Sequence, residues 1–326
     1  MLPNWGTLQS AFFAYFILTI LIVNFIVFSV LLKGNLTFRR KFKQGITMKN
    51  FNNKVAAITG AGSGIGQQLA ICLAQQGCHL SLSDVNEQGL AKTVELLKAY
   101  DVRVTTKRLD VSDRIAMKDW AAETVQAHGS VNLIFNNAGV ALASTVEGES
   151  YEELEWIVNI NFWGVVYGTK EFLPLIKQTK DGHIINVSSL FGLTAQPTQS
   201  AYNATKFAVR GFTESLRQEL DIENCGVSAL CVHPGGIRTN IANSARSNDS
   251  LKTLGIDSSK ITASFNKLLR TPPEEAARQI LVAVQKNKRR LLIGNDAKSL
   301  DLIQRILPTG YQKVITLVTD LSKKFK

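Results

Sequence analysis

Residues 59–66 read Thr59-Gly60-Ala61-Gly62-Ser63-Gly64-Ile65-Gly66, and this short run decides the fold. The mostly apolar stretch Lys54–Thr59 before it reads as a strand, and Gly66–Gln76 after it reads as a helix. A strand that turns through glycines straight into a helix brings bare backbone and free helix N–H groups to one point. A pyrophosphate can sit there, against the positive end of the helix dipole. Glycine-rich turns are common, but these flanks mark a dinucleotide site.

Outward from the loop, strand and helix alternate. His79–Asp84 reads as a second strand and Leu90–Tyr100 as a second helix. Further strands are expected at Arg103–Leu109, Val131–Phe135, His183–Val187 and Val227–Val232, with helical segments between them. This order predicts an α/β fold, a single doubly wound Rossmann-type parallel sheet with helices on both faces. No repeat, low-complexity tract or linker divides residues 48–310, which read as one nucleotide-binding domain. Asp84 closes the second strand, where a carboxylate can accept hydrogen bonds from the adenine ribose and repel a 2′-phosphate. Neither Ser63 nor Val85-Asn86 supplies a basic side chain for such a phosphate. NAD is therefore expected over NADP.

Composition narrows the class. Of 326 residues, 45% are apolar and 19% charged, which excludes a disordered or fibrous chain. Cys72, Cys78, Cys225 and Cys231 lack metal-site spacing, so reduced buried thiols and no metal are expected. The net charge of +11 sits at the ends: residues 1–50 carry +6, residues 286–326 carry +7, and the body between them sums to −2. A near-neutral body is not the profile of a nucleic-acid reader. Basic ends beside apolar segments point to an anionic membrane surface.

Leu8–Leu32 is 25 residues long without a charge. As a helix it would extend ~37 Å, enough to cross a hydrocarbon core of roughly 30 Å. Its start carries no basic side chain and its exit reads Leu31-Leu32-Lys33, so an anchor is expected rather than a cleaved signal. Lys33, Arg39, Arg40, Lys41 and Lys43 follow it and place the domain on the cytoplasmic side. Residues 1–47 are thus expected to form a single-pass membrane anchor with a basic connector. A start at Met48 would instead give a soluble cytoplasmic enzyme acting on a small polar ketone or diol. At the other end, residues 311–326 set Val314, Leu317, Val318 and Leu321 at helical spacing near Lys313, Lys323, Lys324 and Lys326. This basic amphipathic helix is expected to pack on the body or a partner, with a membrane surface as the alternative.

Tyr202 and Lys206 stand at i and i+4 and share one helix face. A phenol titrating near ~10 is a poor base at neutral pH. A neighbouring ammonium favours the phenolate, so the pair can exchange a proton with an alcohol or carbonyl oxygen.

The glycine spacing and five later motifs, Asn136-Asn137-Ala138-Gly139, Ile160-Asn161-Phe162-Trp163-Gly164, Asn186-Val187-Ser188-Ser189, Tyr202-Asn203-Ala204-Thr205-Lys206 and Pro234-Gly235-Gly236-Ile237-Arg238-Thr239, follow in register. Together they resemble the short-chain dehydrogenase/reductase family over about residues 51–290. The resemblance implies an NAD(P)-dependent oxidoreductase moving hydride between nicotinamide and an alcohol or carbonyl compound. It implies Tyr202 as acid/base, with Ser189 holding the substrate oxygen. It also implies Asn161 anchoring a water beside Lys206, and Lys206 binding the nicotinamide ribose. Ser189 is chosen over Ser188 because it lies 13 residues before Tyr202. Cofactor contacts are implied at Gly60, Ser63, Gly64, Ile65 and Gly66, at Asp84, Asp110 and Val111, and at Asn137, Ala138 and Gly139. Tyr202, Lys206, Pro234, Gly235, Ile237 and Thr239 complete that set. A homo-oligomer pairing the helices that carry Asn161 and Tyr202 is implied too. His183 and His233 are expected to be structural, and Trp120, Trp156 and Trp163 to pack helices. The loop Ile241–Arg270 shows no pocket code, so steroid, retinoid, long-chain alcohol and acetoin-like substrates stay open. A non-catalytic nucleotide-binding membrane protein is the remaining alternative.

Overall fold

The computed structural model of the chain describes residues 48, 50–241, 243–256 and 269–324. The predicted span at residues 8–32 lies outside them, as do residues 257–268 of the predicted specificity loop. Among the described residues no helix is long and apolar enough to cross a membrane.

Strand β1 (Val55–Thr59) is buried at every position, as a central parallel strand must be. Its helix α1 begins at Gly64, two residues before the expected start, because Ser63 is extended and releases the chain into the helix there. Strand β2 (His79–Asp84) leads to α2 (Glu87–Leu97), whose start is fixed by Asn86 accepting from the Gly89 N–H. Strand β3 (Val104–Arg108) leads to α3 (Arg114–His128), capped by Asp113 and stopped by Gly129 at φ 83°. After β4 (Leu133–Asn136) and the two-residue β5 (Leu142–Ala143), a Ser150–Glu153 capping box starts α4 (Tyr151–Val158). A π-helical turn, Asn159–Trp163, carries α4 into α5 (Gly164–Thr179). Then come β6 (Gly182–Val187), the long α6 (Ser200–Glu223), β7 (Val227–Pro234) and the short β8 (Arg246–Ser247). Helix α7 (Pro273–Gln285), β9 (Arg290–Ile293), α8 (Asn295–Ile306) and α9 (Gly310–Lys324) complete the described chain.

Seven strands pair in parallel in the order β3-β2-β1-β4-β6-β7-β9. The order reverses between β1 and β4, and the crevice at their carboxyl ends is where such sheets bind ligands. One apolar layer packs α1 and α7 on one face of the sheet, around Leu69, Leu73, Ile280 and Val284. The other packs α3, α5 and α6 on the opposite face, around Trp120, Phe172, Ile176 and Leu216. Strand β9, unassigned from sequence, is a four-residue edge element beside β7 and too short for a periodic signal.

The C-terminal helix differs from expectation. Its body-facing side is Tyr311, 6% exposed, whose hydroxyl accepts from the Ala195 N–H, with Ile315 one turn on. The apolar stripe Val314, Leu317 and Val318 faces solvent at 46%, 60% and 59% exposure. Two adjacent stripes satisfy the same spacing, and the aromatic one took the contact.

Buried polar groups lock α5 to the sheet. Asn136 donates to Asn186 at 2.8 Å and to Thr169 at 3.2 Å, and Asn186 donates to Thr213 at 3.0 Å. Gly168 permits this approach, since a Cβ there would stand 2.0 Å from Asn136 Oδ1. Gly168→Ala is expected to displace that amide and lower stability by about 1–3 kcal/mol. A urea titration reads it as a lower midpoint at unchanged slope. An unchanged midpoint would show that the contact is not tight.

Candidate functional site

The cradle begins with backbone that only glycine accepts comfortably. Gly60 has φ 66° and Gly64 φ 55°. At Gly66 the constraint is closeness, because an added Cβ would lie 2.1 Å from the Gly60 carbonyl oxygen. Thr59, which sequence reading left out of the site, ties the two central strands together. Its hydroxyl accepts from the Asn137 and Ala138 N–H groups at 2.9 and 3.0 Å and donates to Phe135 O at 3.3 Å. Asp84 Oδ2 accepts from Gly62 N at 2.8 Å, while Oδ1 accepts from Asn86 N at 2.9 Å. That carboxylate therefore shapes the loop as well as facing the cavity.

The crevice is one continuous cavity of about 1420 Å³. This exceeds the roughly 300–1,000 Å³ of a typical small-ligand pocket, leaving room for a dinucleotide and a second molecule. Gly60, Ser63, Gly64 and Ile65 line it, with Asp84, Asp110 and Val111. Asn137, Ala138 and Gly139 line it too, as do Pro234, Gly235, Ile237 and Thr239. Ser189, Tyr202 and Lys206 also line it. Two expected site residues do not. Gly66 sits behind the loop against Gly60, and Asn161 is fully buried behind Gly139.

The glycine cradle, the Asp84 carboxylate and this volume fit a nicotinamide dinucleotide. Ser63 makes no side-chain cap, and the first turn of α1 holds no acid, so its amides stay available to a phosphate.

Lys206 is 3% exposed, and its ammonium donates to Val187 O at 3.2 Å, with no carboxylate paired to it among the described residues. Burial lowers its pKa from 10.5 to about 8. The ammonium stands 5.6 Å from the Tyr202 ring centroid. Tyr202 does not show the depressed pKa expected of it. Burial raises it, while a hydrogen bond with Ser189 works in the other direction. In this structure desolvation outweighs the helper groups.

The two serines separate cleanly. Ser188 Oγ donates to the Lys206 carbonyl at 2.8 Å and braces α6, whereas Ser189 faces Tyr202. Asn161 grips the loop after β4 from the π-helical turn. Its Oδ1 accepts from Val140 N at 2.8 Å, and its Nδ2 donates to Val140 O at 2.9 Å and to Thr205 at 3.3 Å. A Cβ on Gly139 would lie 3.1 Å from Asn161 Oδ1 and 3.4 Å from Lys206 Nζ, so the asparagine and the lysine close on the same backbone.

His233 does more than fill the core. Its Nδ1 pairs with the Ser189 carbonyl at 2.9 Å, and burial lowers its pKa to about 4. His183 is held neutral the same way, at about 3, with the Arg217 charge adding to the effect of burial. Asp296 Oδ2 accepts from Gly236 N at 2.6 Å and holds the Pro234-Gly235-Gly236 wall. No motif marks His233 or Asp296, because both act through distant backbone. Trp120 packs between helices on Phe172, whereas Trp163 stacks on Tyr167 of its own helical run and is 41% exposed. Trp156 packs on Leu142, Ile157 and Ala201 and also lines the cavity, with the Arg246 guanidinium stacked on it.

Comparison with known proteins fits this geometry. The family described as short chain dehydrogenase matches residues 54–250. The protein SadH of Mycobacterium tuberculosis, named as an oxidoreductase, is 46% identical over 269 residues, covering 82% of this chain and 96% of that one. A short-chain dehydrogenase/reductase of Burkholderia phymatum, solved in complex with NAD, superposes with a TM-score of 0.73 at 28% identity, over 79% of this chain and 95% of the other. An alcohol dehydrogenase of Thermococcus sibiricus, complexed with 5-hydroxy-NADP, gives 0.60 at 28% identity, over 74% and 95%. Matched over more than half of its length, the chain belongs to the short-chain dehydrogenase family and is an oxidoreductase of the kind that works with a nicotinamide cofactor.

Proposed function

We propose that the chain interconverts an alcohol and a carbonyl compound, with NAD preferred and a lipophilic substrate. The observation that carries this reading is the convergence of Ser189, Tyr202 and Lys206 on the lining of a cavity that the glycine cradle and Asp84 also line. The nicotinamide supplies or takes the hydride. Tyr202 gives or accepts the proton at the substrate oxygen, and Ser189 donates a hydrogen bond to that oxygen as charge develops on it. Lys206 lends its positive charge to the phenol and binds the nicotinamide ribose. Asn161 holds the loop after β4 and orders a water toward the lysine. The exposed aromatics Trp163 and Phe207, on the segments carrying Asn161 and Tyr202, suit a homo-oligomer contact.

Tyr202→Phe removes the proton relay with almost no change of volume. Turnover should fall by roughly two to four orders of magnitude. Folding and NADH affinity should stay near those of the unaltered protein. Steady-state rates with calorimetric NADH titration check both halves, and near-normal turnover would remove Tyr202 from the mechanism.

Asp84 carries the cofactor preference. NADH is expected to bind more tightly than NADPH, because a 2′-phosphate would meet the carboxylate with no basic side chain to offset it. Asp84→Ala should narrow the gap, even as it loosens the loop at Gly62. Tighter NADPH binding by the unaltered protein would reverse the assignment.

The membrane reading rests on the uncharged stretch Leu8–Leu32 and the five basic residues after it. The exposed apolar residues Leu302, Ile306, Val314 and Leu317 support it, with Arg305 and Lys313 nearby in sequence, a composition that suits an anionic bilayer. The full chain is then a single-pass protein with its domain facing the cytoplasm, and membrane-dissolved substrates reach it from the bilayer. Met48 and Phe51 are already buried in the core, so a chain starting at Met48 keeps the fold. Carbonate washing of membranes should leave the full chain in the pellet and release the shortened one. The shortened enzyme should keep activity on a water-soluble alcohol and lose it selectively on a bilayer-dissolved one. Release of the full chain by carbonate would exclude the anchor.

A further inference from the structure

Besides Tyr202 the cavity is lined by apolar side chains that include Val140, Ala143, Phe191, Leu300 and Ile315. One charged side chain that also lines it, Arg246, is held by both its backbone and its guanidinium. Arg246 sits in β8, which pairs with β5 so that Arg246 stands opposite Leu142, and its N–H donates to Ala141 O at 3.0 Å. This fixes its backbone to the loop that Asn161 grips. Its guanidinium carbon lies 3.6 Å from the centroid of the Trp156 ring. Trp156 is itself packed on the small apolar cluster of Leu142, Ile157 and Ala201, against which Tyr202 also packs. The arginine is thus anchored through an indole to the same cluster that carries the phenol.

No carboxylate pairs with Arg246 among the described residues. Of the acids Glu149, Glu152 and Glu153 around the start of α4, the outer two have hydrogen-bond donors of their own. Glu153 accepts from Ser150 N and Asn248 Nδ2, both at 3.1 Å, and Glu149 accepts from Ser200 at 3.5 Å. Stacking uses the face of a guanidinium and leaves its in-plane N–H donors free, arranged as a fork that matches a carboxylate. Arg246 is exposed, stacked on an indole, without a paired carboxylate among the described residues, and lines a cavity with many apolar side chains; it is complementary to an anion that carries an apolar part.

Resting on the oxidoreductase reading above, we propose that the substrate is amphipathic: an apolar chain bearing the reacting alcohol or carbonyl group, and a carboxylate that docks on Arg246. The apolar lining takes the chain, the Trp156-stacked guanidinium takes the anion, and the separation of the two ends sets which carbon reaches Tyr202. Arg246 is then a specificity-determining residue.

The test separates binding from turnover. Octanoate and its neutral analogue octanamide are titrated calorimetrically into the full-length NADH complex, for the unaltered protein and for Arg246→Met, which keeps an apolar side chain over the indole. A charge-assisted pair should give octanoate roughly a tenfold or greater advantage over the amide, and Arg246→Met should abolish that advantage. Trp156→Leu should reduce it, because the guanidinium loses its support. Equal affinity for acid and amide in the unaltered protein, or an advantage that survives Arg246→Met, overturns the proposal. A parallel assay follows NADH formation on medium-chain hydroxy acids and their methyl esters. Preference for the acids, lost in Arg246→Met, supports it. A protein that binds octanoate through Arg246 yet turns over neither series would leave the anion site standing and overturn the proposed alcohol–carbonyl activity on such chains.

Discussion

A buried ammonium group with no carboxylate partner among the described residues sets the terms for the centre of this molecule. The charge of Lys206 is met there by the Val187 carbonyl dipole instead of a counterion. A carboxylate would hold the charge more firmly, but it would also cancel the field that the neighbouring phenol feels. Dipoles must be placed accurately to stand in for a charge. Much of the surrounding polar architecture serves that placement. Ser188 fixes the Lys206 backbone, Asn161 closes the Gly139–Val140 loop over it, and Val187 at the end of β6 offers its carbonyl. The burial that makes this precision necessary also brings the lysine pKa down to about 8.

The sheet decides where that centre can be. Strand order reverses between β1 and β4, and the crevice opened there is walled by the turns after β1, β4, β6 and β7. Thr59 and Asn137 join the first two turns, and His233 holds the Ser189 carbonyl from β7. The parallel topology thus delivers cofactor cradle and reacting groups to one edge. The buried amides of Asn136 and Asn186 keep the central strands in register beneath them.

Most of this was legible in the residues, and the exceptions share a cause. The glycine loop, Asp84 and the Tyr202–Lys206 pair are local patterns whose spacing carries their chemistry, and all of them reach the cavity. Strands β1, β2, β4, β6 and β7 were foreseen to within one or two residues, because buried parallel strands are short apolar runs. What escaped is set by contacts distant in the chain. The β5–β8 pair joins residues more than a hundred apart, so nothing near Arg246 announces Trp156 as its neighbour. Trp156 reads as helix packing and does pack on Leu142, Ile157 and Ala201; that it also lines the cavity has no local signal. His233 and Asp296 act on backbone atoms, which leave no side-chain pattern to read. The direction of the Tyr202 shift was missed because spacing gives proximity to Lys206 and says nothing of desolvation.

That last point bears on how the two groups can work together. The phenol is raised by burial and the lysine is lowered to about 8, so on raising the pH the lysine loses its proton first. Below about 8 the ammonium is present and favours the phenolate; above it the assistance disappears just where a free tyrosine would begin to ionise. Alkaline solution therefore does not prepare the base in this chain by itself. On the proposed reading, a phenol that burial keeps protonated can donate its proton to a carbonyl oxygen. Accepting one from an alcohol needs the ammonium and the Ser189 hydrogen bond to outweigh desolvation.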